Sequence, residues 1–166
     1  MTARRIAVVG ALADELRGIA ARIDPPTLCS ARSTVYLTGR LGDHDVVVLS
    51  TGIGAERAEA RVRSLLETES VDAIVALGFA GGLRDVLLPG DVLVAREVVA
   101  AGGTIDAGTR PAMWPSDARL LEAAPREIDA PAVVRFGRLV TVDRILRSAG
   151  EKLRAGTEVD SDAADG

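Results

Sequence analysis

The chain has 166 residues, 48% hydrophobic and 27% charged; this is the balance of an ordinary globular protein, and as one domain it would bury roughly 70% of its unfolded surface. The net charge of −4 argues against a nucleic-acid partner, and no apolar run approaches a membrane span, so no membrane partner is expected either. Cys29 is the only cysteine and His44 the only histidine, which excludes an intrachain disulfide and a Cys- or His-rich metal site; no cofactor is expected.

Arg5 to Gly10 is β-branched enough for a first strand. It is too short and too soon followed by Asp14 and Glu15 to be a signal peptide, so a cytoplasmic chain is expected. From Ala11 to Ile23 the apolar residues Leu12, Leu16, Ile19, Ala20 and Ile23 recur at helical spacing. Asp14 and Glu15 fall in the first turn, where the helix dipole favours negative charge. Pro25-Pro26 ends the helical region. Thr34 to Leu41 and Asp45 to Ser50 read as strands of a hairpin around Gly42-Asp43. His44, in that hairpin, is expected to face water.

Thr51-Gly52-Ile53-Gly54 leads into a helix, Ala55 to Thr68, with Ala58, Val62, Leu65 and Leu66 on one face. Ser50 to Ala58 looks like G-x-G-x-x-G, but Arg57 stands at the last glycine. The acidic Asp72 lies at the start of the next strand rather than at its end, so a dinucleotide-binding reading is rejected.

The central stretch follows. Val71 to Leu77 is apolar everywhere except Asp72, the pattern of a strand buried on both faces. It breaks at Gly78-Phe79-Ala80-Gly81-Gly82, where the absence of Cβ atoms lets the backbone approach a small ligand. The crevice beyond strand ends is where open α/β sheets bind ligands. Pro89-Gly90-Asp91 is a turn and Val92 to Ala100 a strand. Gly102 to Pro115, with Trp114, reads as a long loop. Ser116 caps a short helix to Ala124. Val133 to Val142 is a strand, Ile145 to Ala155 a helix, and Thr157 to Asp160 a last short strand. The alternation of strands and helices gives an α/β fold with a mostly parallel sheet.

Six short motifs, in this order, resemble the nucleoside phosphorylase and nucleosidase superfamily. G-A-L-A-D-E (Gly10 to Glu15) is similar to a nucleosidase G-A-M-x-x-E. S-T-G-I-G (Ser50 to Gly54) is similar to S-G-I-G. G-F-A-G-G-L with P-G-D-V-L-V is similar to G-[ST]-A-G-G-L and G-D-[IV]-V-V. F-G-R-L-V-T-V-D and V-D-S-D-A-A, near the end, are similar to G-x-x-x-[ST]-x-D and V-[DE]-M-E-[AS]-A. The resemblance implies a three-layer α-β-α sandwich around a mixed, mostly parallel sheet. It also implies cleavage of the N-glycosidic bond of a purine nucleoside or related metabolite, by hydrolysis or phosphorolysis, and a homo-oligomer.

Residue by residue, the resemblance makes Glu15 the group that activates water, with Ala11 beside it; without the resemblance, Asp14 and Glu15 read as helix-capping acids. A phosphorolytic corner, G-D-P-x-R, loosely matches Asp14 to Arg17 and would make Arg17 a seat for inorganic phosphate; a solvated helix residue is the other reading. Ala80, Gly81 and Gly82 keep their family identity and are expected to line the nucleophile site. Phe79 replaces the family's Ser or Thr: it walls the pocket, stacks on a base, or fills core. Ile145 and Leu146 are implied at the base. Asp160 matches the first acid of the last motif, Ser161 replaces its Met, and Asp162 replaces the Glu that takes both ribose hydroxyls. An acidic, frayed terminus is the alternative.

The family carries a later S-D motif whose Asp protonates the leaving purine. The sequence stops at Gly166, before it, and loss of a general acid costs about 10²–10⁴ in rate. A C-terminally short member, lacking the family's final strand and helix, is therefore expected. It is either active or a catalytically silent relic that binds nucleoside or a partner.

Overall fold

The computed structural model describes residues 4–32, 34–101, 112–125, 132–142, 146–158 and 161–165. The chain divides into two compact units, Met1–Phe79 and Ala80–Gly166.

In the first unit the elements run β1 (Arg5–Gly10), α1 (Ala13–Ala20), β2 (Asp24–Ala31), β3 (Thr34–Leu41), β4 (His44–Ser50), α2 (Ala55–Leu66) and β5 (Ala73–Ala76). They form one five-stranded sheet in the order β2-β3-β4-β1-β5. β1 pairs in parallel with both β4 and β5, Val9 lying opposite Leu49 and Ala76. Three parallel strands therefore end together, at Gly10, Ser50 and Ala76. β2-β3 and β3-β4 are antiparallel, and the hairpin turns at the expected place.

Alternate residues of a strand face opposite sides of a sheet, and here both sides are covered. Ala7, Val9, Val47 and Leu49 pack with Tyr36 and with Leu65 of α2. Val8, Val46 and Val48 pack with Ile23 and with Leu16 of α1. Burial on two faces is why β1 and β4 read as unbroken apolar runs.

Four expectations change here. Pro25-Pro26 ends no loop-bound helix but lies within β2, a strand the sequence reading missed because proline lacks a donor for the ladder; β2 is an edge strand, where that lack is tolerated. α1 is shorter than the periodicity suggested, beginning at Ala13 and ending at Ala20. His44 is half-buried, and its Nδ1 is enclosed without a hydrogen-bond partner among the described residues. β5 is not buried on both sides: Ile74, Val75 and Leu77 are 39%, 38% and 41% exposed. Among the described residues β5 has β1 as its one sheet neighbour.

The second unit contains β6 (Gly81–Gly82), β7 (Val92–Ala101), β8 (Ala112–Pro115), α3 (Ala118–Ala123), β9 (Val134–Val142), α4 (Ala149–Glu158) and β10 (Ala163–Asp165). Its sheet order is β6-β10-β9-β7-β8. The inner pairs, β9 with β7 and with β10, are parallel, and the outer pairs antiparallel. Each unit's sheet is mixed, as expected, with two parallel and two antiparallel strand pairs. Leu83, Val99, Val140, Val142, Ala155 and Ala164 form the core, with Leu146 packed against it.

The turn before β7 is built as expected. Gly90 has φ +96°, and Asp91 Oδ2 accepts the Leu88 N–H at 3.0 Å while Oδ1 accepts the Val133 N–H at 3.0 Å. Those backbone donors, led by Leu88, hold the Asp91 carboxyl below the usual carboxylate range.

Other expectations for this unit are corrected. Ala112–Pro115, Trp114 included, is a strand on β7 rather than loop; 102–111 lie outside the described residues. Asp117, not Ser116, caps α3, its Oδ1 accepting from the Arg119 and Leu120 N–H groups, and the Ser116 hydroxyl donates instead to the Ala95 carbonyl at 2.7 Å. The bonds to Arg119 lower the Asp117 carboxyl to about 2. The last helix starts at Ala149, where Ser148 and Glu151 cap it reciprocally. Thr157 and Glu158 belong to that helix, and the final strand is Ala163–Asp165. Among the described residues no helix is long and apolar enough to cross a membrane.

Candidate active site

The corner between β1 and α1 is where the first unit gathers its chemistry. Leu12 precedes the helix, and Glu15 is the third residue inside it. Glu15 Oε2 accepts the Leu12 N–H at 2.8 Å, which is half of a capping box; leucine has no side-chain oxygen for the other half. Glu15 Oε1 accepts the Phe79 N–H at 3.0 Å, from 64 residues away. The carboxylate is thus fixed from two directions, one local and one from the segment beyond β5. Each oxygen spends one lone pair on these bonds and keeps another for a ligand or water. The same side chain caps α1 and holds the segment beyond β5.

The backbone around this carboxylate is close-set. A Cβ at residue 78 would sit 3.1 Å from Glu15 Oε1, and one at residue 10 would sit 2.7 Å from the Leu77 carbonyl. The end of β4 ties itself to the end of β1: the Thr51 and Gly52 N–H groups donate to the Gly10 and Ala11 carbonyls at 2.8 and 2.9 Å. The Ser50 hydroxyl donates to the Ala11 carbonyl at 3.1 Å. Ala11 lies at this corner, its carbonyl accepting both the Gly52 and the Ser50 bonds. Phe79 is not core: its ring is 75% exposed.

Arg17 does not join Glu15. It sits on the exposed side of α1, paired with Asp14 one turn back. The residue expected to seat phosphate has its guanidinium engaged by a neighbouring acid.

In the second unit, Gly81 and Gly82 form β6 and pair with Ala164 and Ala163, so their backbones serve a sheet ladder. Ala80 opens this unit and is exposed. Ser161 is completely buried. Asp162 Oδ2 accepts the Arg138 N–H at 2.8 Å, while Arg84 Nε lies 3.9 Å from Oδ1 and donates to the Ser161 carbonyl at 3.1 Å. The backbone of Asp162 exchanges further bonds with Arg138 and Leu83. This acid is folded back onto β9. A Cβ at Gly137 would come within 2.3 Å of its Oδ2, so residue 137 has to be glycine for Asp162 to sit there. Leu146, expected at the base, packs against the core. Ile145 and Asp160 lie outside the described residues.

Sequence reasoning gave no role to Gly137, the first residue of the G-x-x-x-[ST]-x-D match, and missed Arg84 and the Arg138–Glu97 pair, whose Nε–Oε1 distance is 2.6 Å. A glycine inside a run of strand formers was the available signal for Gly137, since it marks a close approach. The two arginines carried no motif.

A family model described as the phosphorylase superfamily matches residues 5–165. The chain belongs to that superfamily. The 5'-methylthioadenosine/S-adenosylhomocysteine nucleosidase of Shewanella pealeana is 27% identical over 150 residues, covering 86% of this chain and 63% of that protein. The nucleosidase of the same name from Chromohalobacter salexigens is 34% identical over 95 residues, 57% of this chain and 40% of that one. The chain thus spans less than two thirds of the length of these relatives. The crystal structure of the Neisseria meningitidis nucleosidase in complex with methylthio-immucillin-A superposes with a TM-score of 0.87, at 24% identity, over 98% of this chain and 75% of that chain. That likeness is one of fold, and it agrees with the α/β architecture.

Proposed function

We propose that this chain cleaves the N-glycosidic bond of a purine nucleoside by hydrolysis, with Glu15 as the group that activates water. The observation that carries the reading is the Glu15 carboxylate, held by the Leu12 and Phe79 N–H groups at 2.8 and 3.0 Å at the common end of three parallel strands. A fixed carboxylate with lone pairs to spare can orient a water and take its proton as the new C–O bond forms at the anomeric carbon. The names of the relatives supply the first substrates to try, 5'-methylthioadenosine and S-adenosylhomocysteine.

Hydrolysis is preferred to phosphorolysis because Arg17 stands on the exposed side of α1, while the held carboxylate is that of Glu15. The reading further includes residues 1–166 acting as one domain, a cytoplasmic setting and a homo-oligomer. A second reading, a silent nucleoside-binding relic, is favoured by one observation: Ser161 is buried and Asp162 is turned onto the Arg138 backbone, away from the role of ribose acceptor.

The test is chromatography of purified protein with methylthioadenosine, adenosine and inosine, with and without phosphate. Free base in both buffers is the expected result. Base only with phosphate makes the chain a phosphorylase. No base from a protein that melts cooperatively favours the relic.

A further inference from the structure

The fold buries or pairs the chain's other aromatic rings more fully than it does Phe79. Tyr36 is buried, with its phenol donating to Glu69 at 2.7 Å. Phe136 lies under the Arg96 guanidinium, 5.6 Å from the ring centroid. Trp114 is 55% exposed along β8, and Phe79 is 75% exposed. Aromatics make up only 2% of the sequence, and the core of the first unit is otherwise aliphatic.

Phe79 is exposed yet not loosely held. Its own N–H is the one bound to Glu15 Oε1 at 3.0 Å, so its ring stands within one side chain's length of the carboxylate. It follows Gly78, whose Cα lies close enough to the carboxylate that an added Cβ would be tight at 3.1 Å. The same bond that orients Glu15 therefore sets the origin of the phenyl ring.

We propose that Phe79 is a substrate-binding residue whose ring takes the flat face of the substrate's purine base, an assignment that rests on the reading of Glu15 as the hydrolytic base. A phenyl ring has no hydrogen-bonding group to satisfy and offers a π face. Bases stack on such a face whatever their edge pattern, and the larger purine covers more of it.

Calorimetry with adenine as the probe tests the assignment without needing turnover, and cleavage assays run beside it. Phe79→Ser is expected to weaken adenine binding about tenfold or more. Phe79→Leu, apolar but not flat, is expected to fall between, and Phe79→Tyr to stay within about twofold of the parent. Equal affinity in all four proteins, Phe79→Leu binding like the parent, or no adenine binding by the parent would overturn it. A Phe79→Ser protein that dissociates in sedimentation with unchanged adenine affinity would also overturn it, making the ring a contact between copies. Adenine binding that depends on residue 79, with no cleavage, supports Phe79 and sinks the Glu15 reading. Cleavage that is indifferent to residue 79 does the reverse.

Discussion

The two units each pin a carboxylate with backbone N–H groups, and they use it differently. Glu15 is held by one donor from its own helix start and one from beyond β5; the long side chain bridges two segments at an open corner. Asp162, one methylene shorter, is bonded to Arg138 directly over Gly137 and has Arg84 beside its other oxygen. The first arrangement orients a group toward the end of the strands. The second staples the chain before β10 to β9. Both acids carried the same kind of motif; side-chain length and local backbone decide which segments each one joins.

The comparison breaks most visibly at Glu15. Glu15→Gln keeps the shape but cannot take a proton, and about a hundredfold or greater loss of turnover is expected. Affinity for base should change little. An amide also offers one acceptor where the carboxylate offers two, so a small loss of thermal stability accompanies it.

Gly137→Ala tests the staple. Its methyl would meet Asp162 Oδ2 and Leu93 Cδ1, at 2.3 and 3.0 Å. Overpacking of this kind costs about 1–3 kcal/mol, and the melting temperature should drop by several degrees. Asp162→Ala in the same chain should restore part of the loss, since the two residues share one contact. Purely additive losses would show that Asp162 is not what residue 137 avoids.

Tyr36→Phe probes β3, two strands from β1 in the same sheet. The phenol donates to Glu69, and that bond, before burial, raises its pKa above 10.0. A raised folded-state value means the contribution is complete below about pH 10 and lost as pH climbs through the folded value. Removing the hydroxyl should cost about 1.5 kcal/mol at neutral pH and flatten the alkaline fall in denaturation midpoint. The smallest effect is expected at Arg17: Arg17→Ala should change turnover by less than about twofold with or without phosphate, because an exposed i,i+3 ion pair contributes little.

The first unit was largely legible in the sequence. Alternating burial made β1 and β4 continuous apolar runs, and Gly42-Asp43 marked the hairpin. β2 was not legible, because two prolines signal a break unless the strand lies at an edge. β5 misled in the opposite way: its composition is that of an inner strand, while burial depends on neighbours that composition does not name. At the site, Glu15 was legible because capping and positioning need the same residue at the same place. The fate of Asp162 was not, since it turns on an N–H of Arg138 and on the space above Gly137. Neither leaves a pattern beyond one glycine in a strand.

The most direct measurement is the rate of purine release from 5'-methylthioadenosine in phosphate-free buffer, for the parent chain beside Glu15→Gln, both checked for cooperative melting. Hydrolysis directed by Glu15 requires release by the parent and at least about a hundredfold slower release by the variant. Equal rates, or no release by a folded parent, would contradict it.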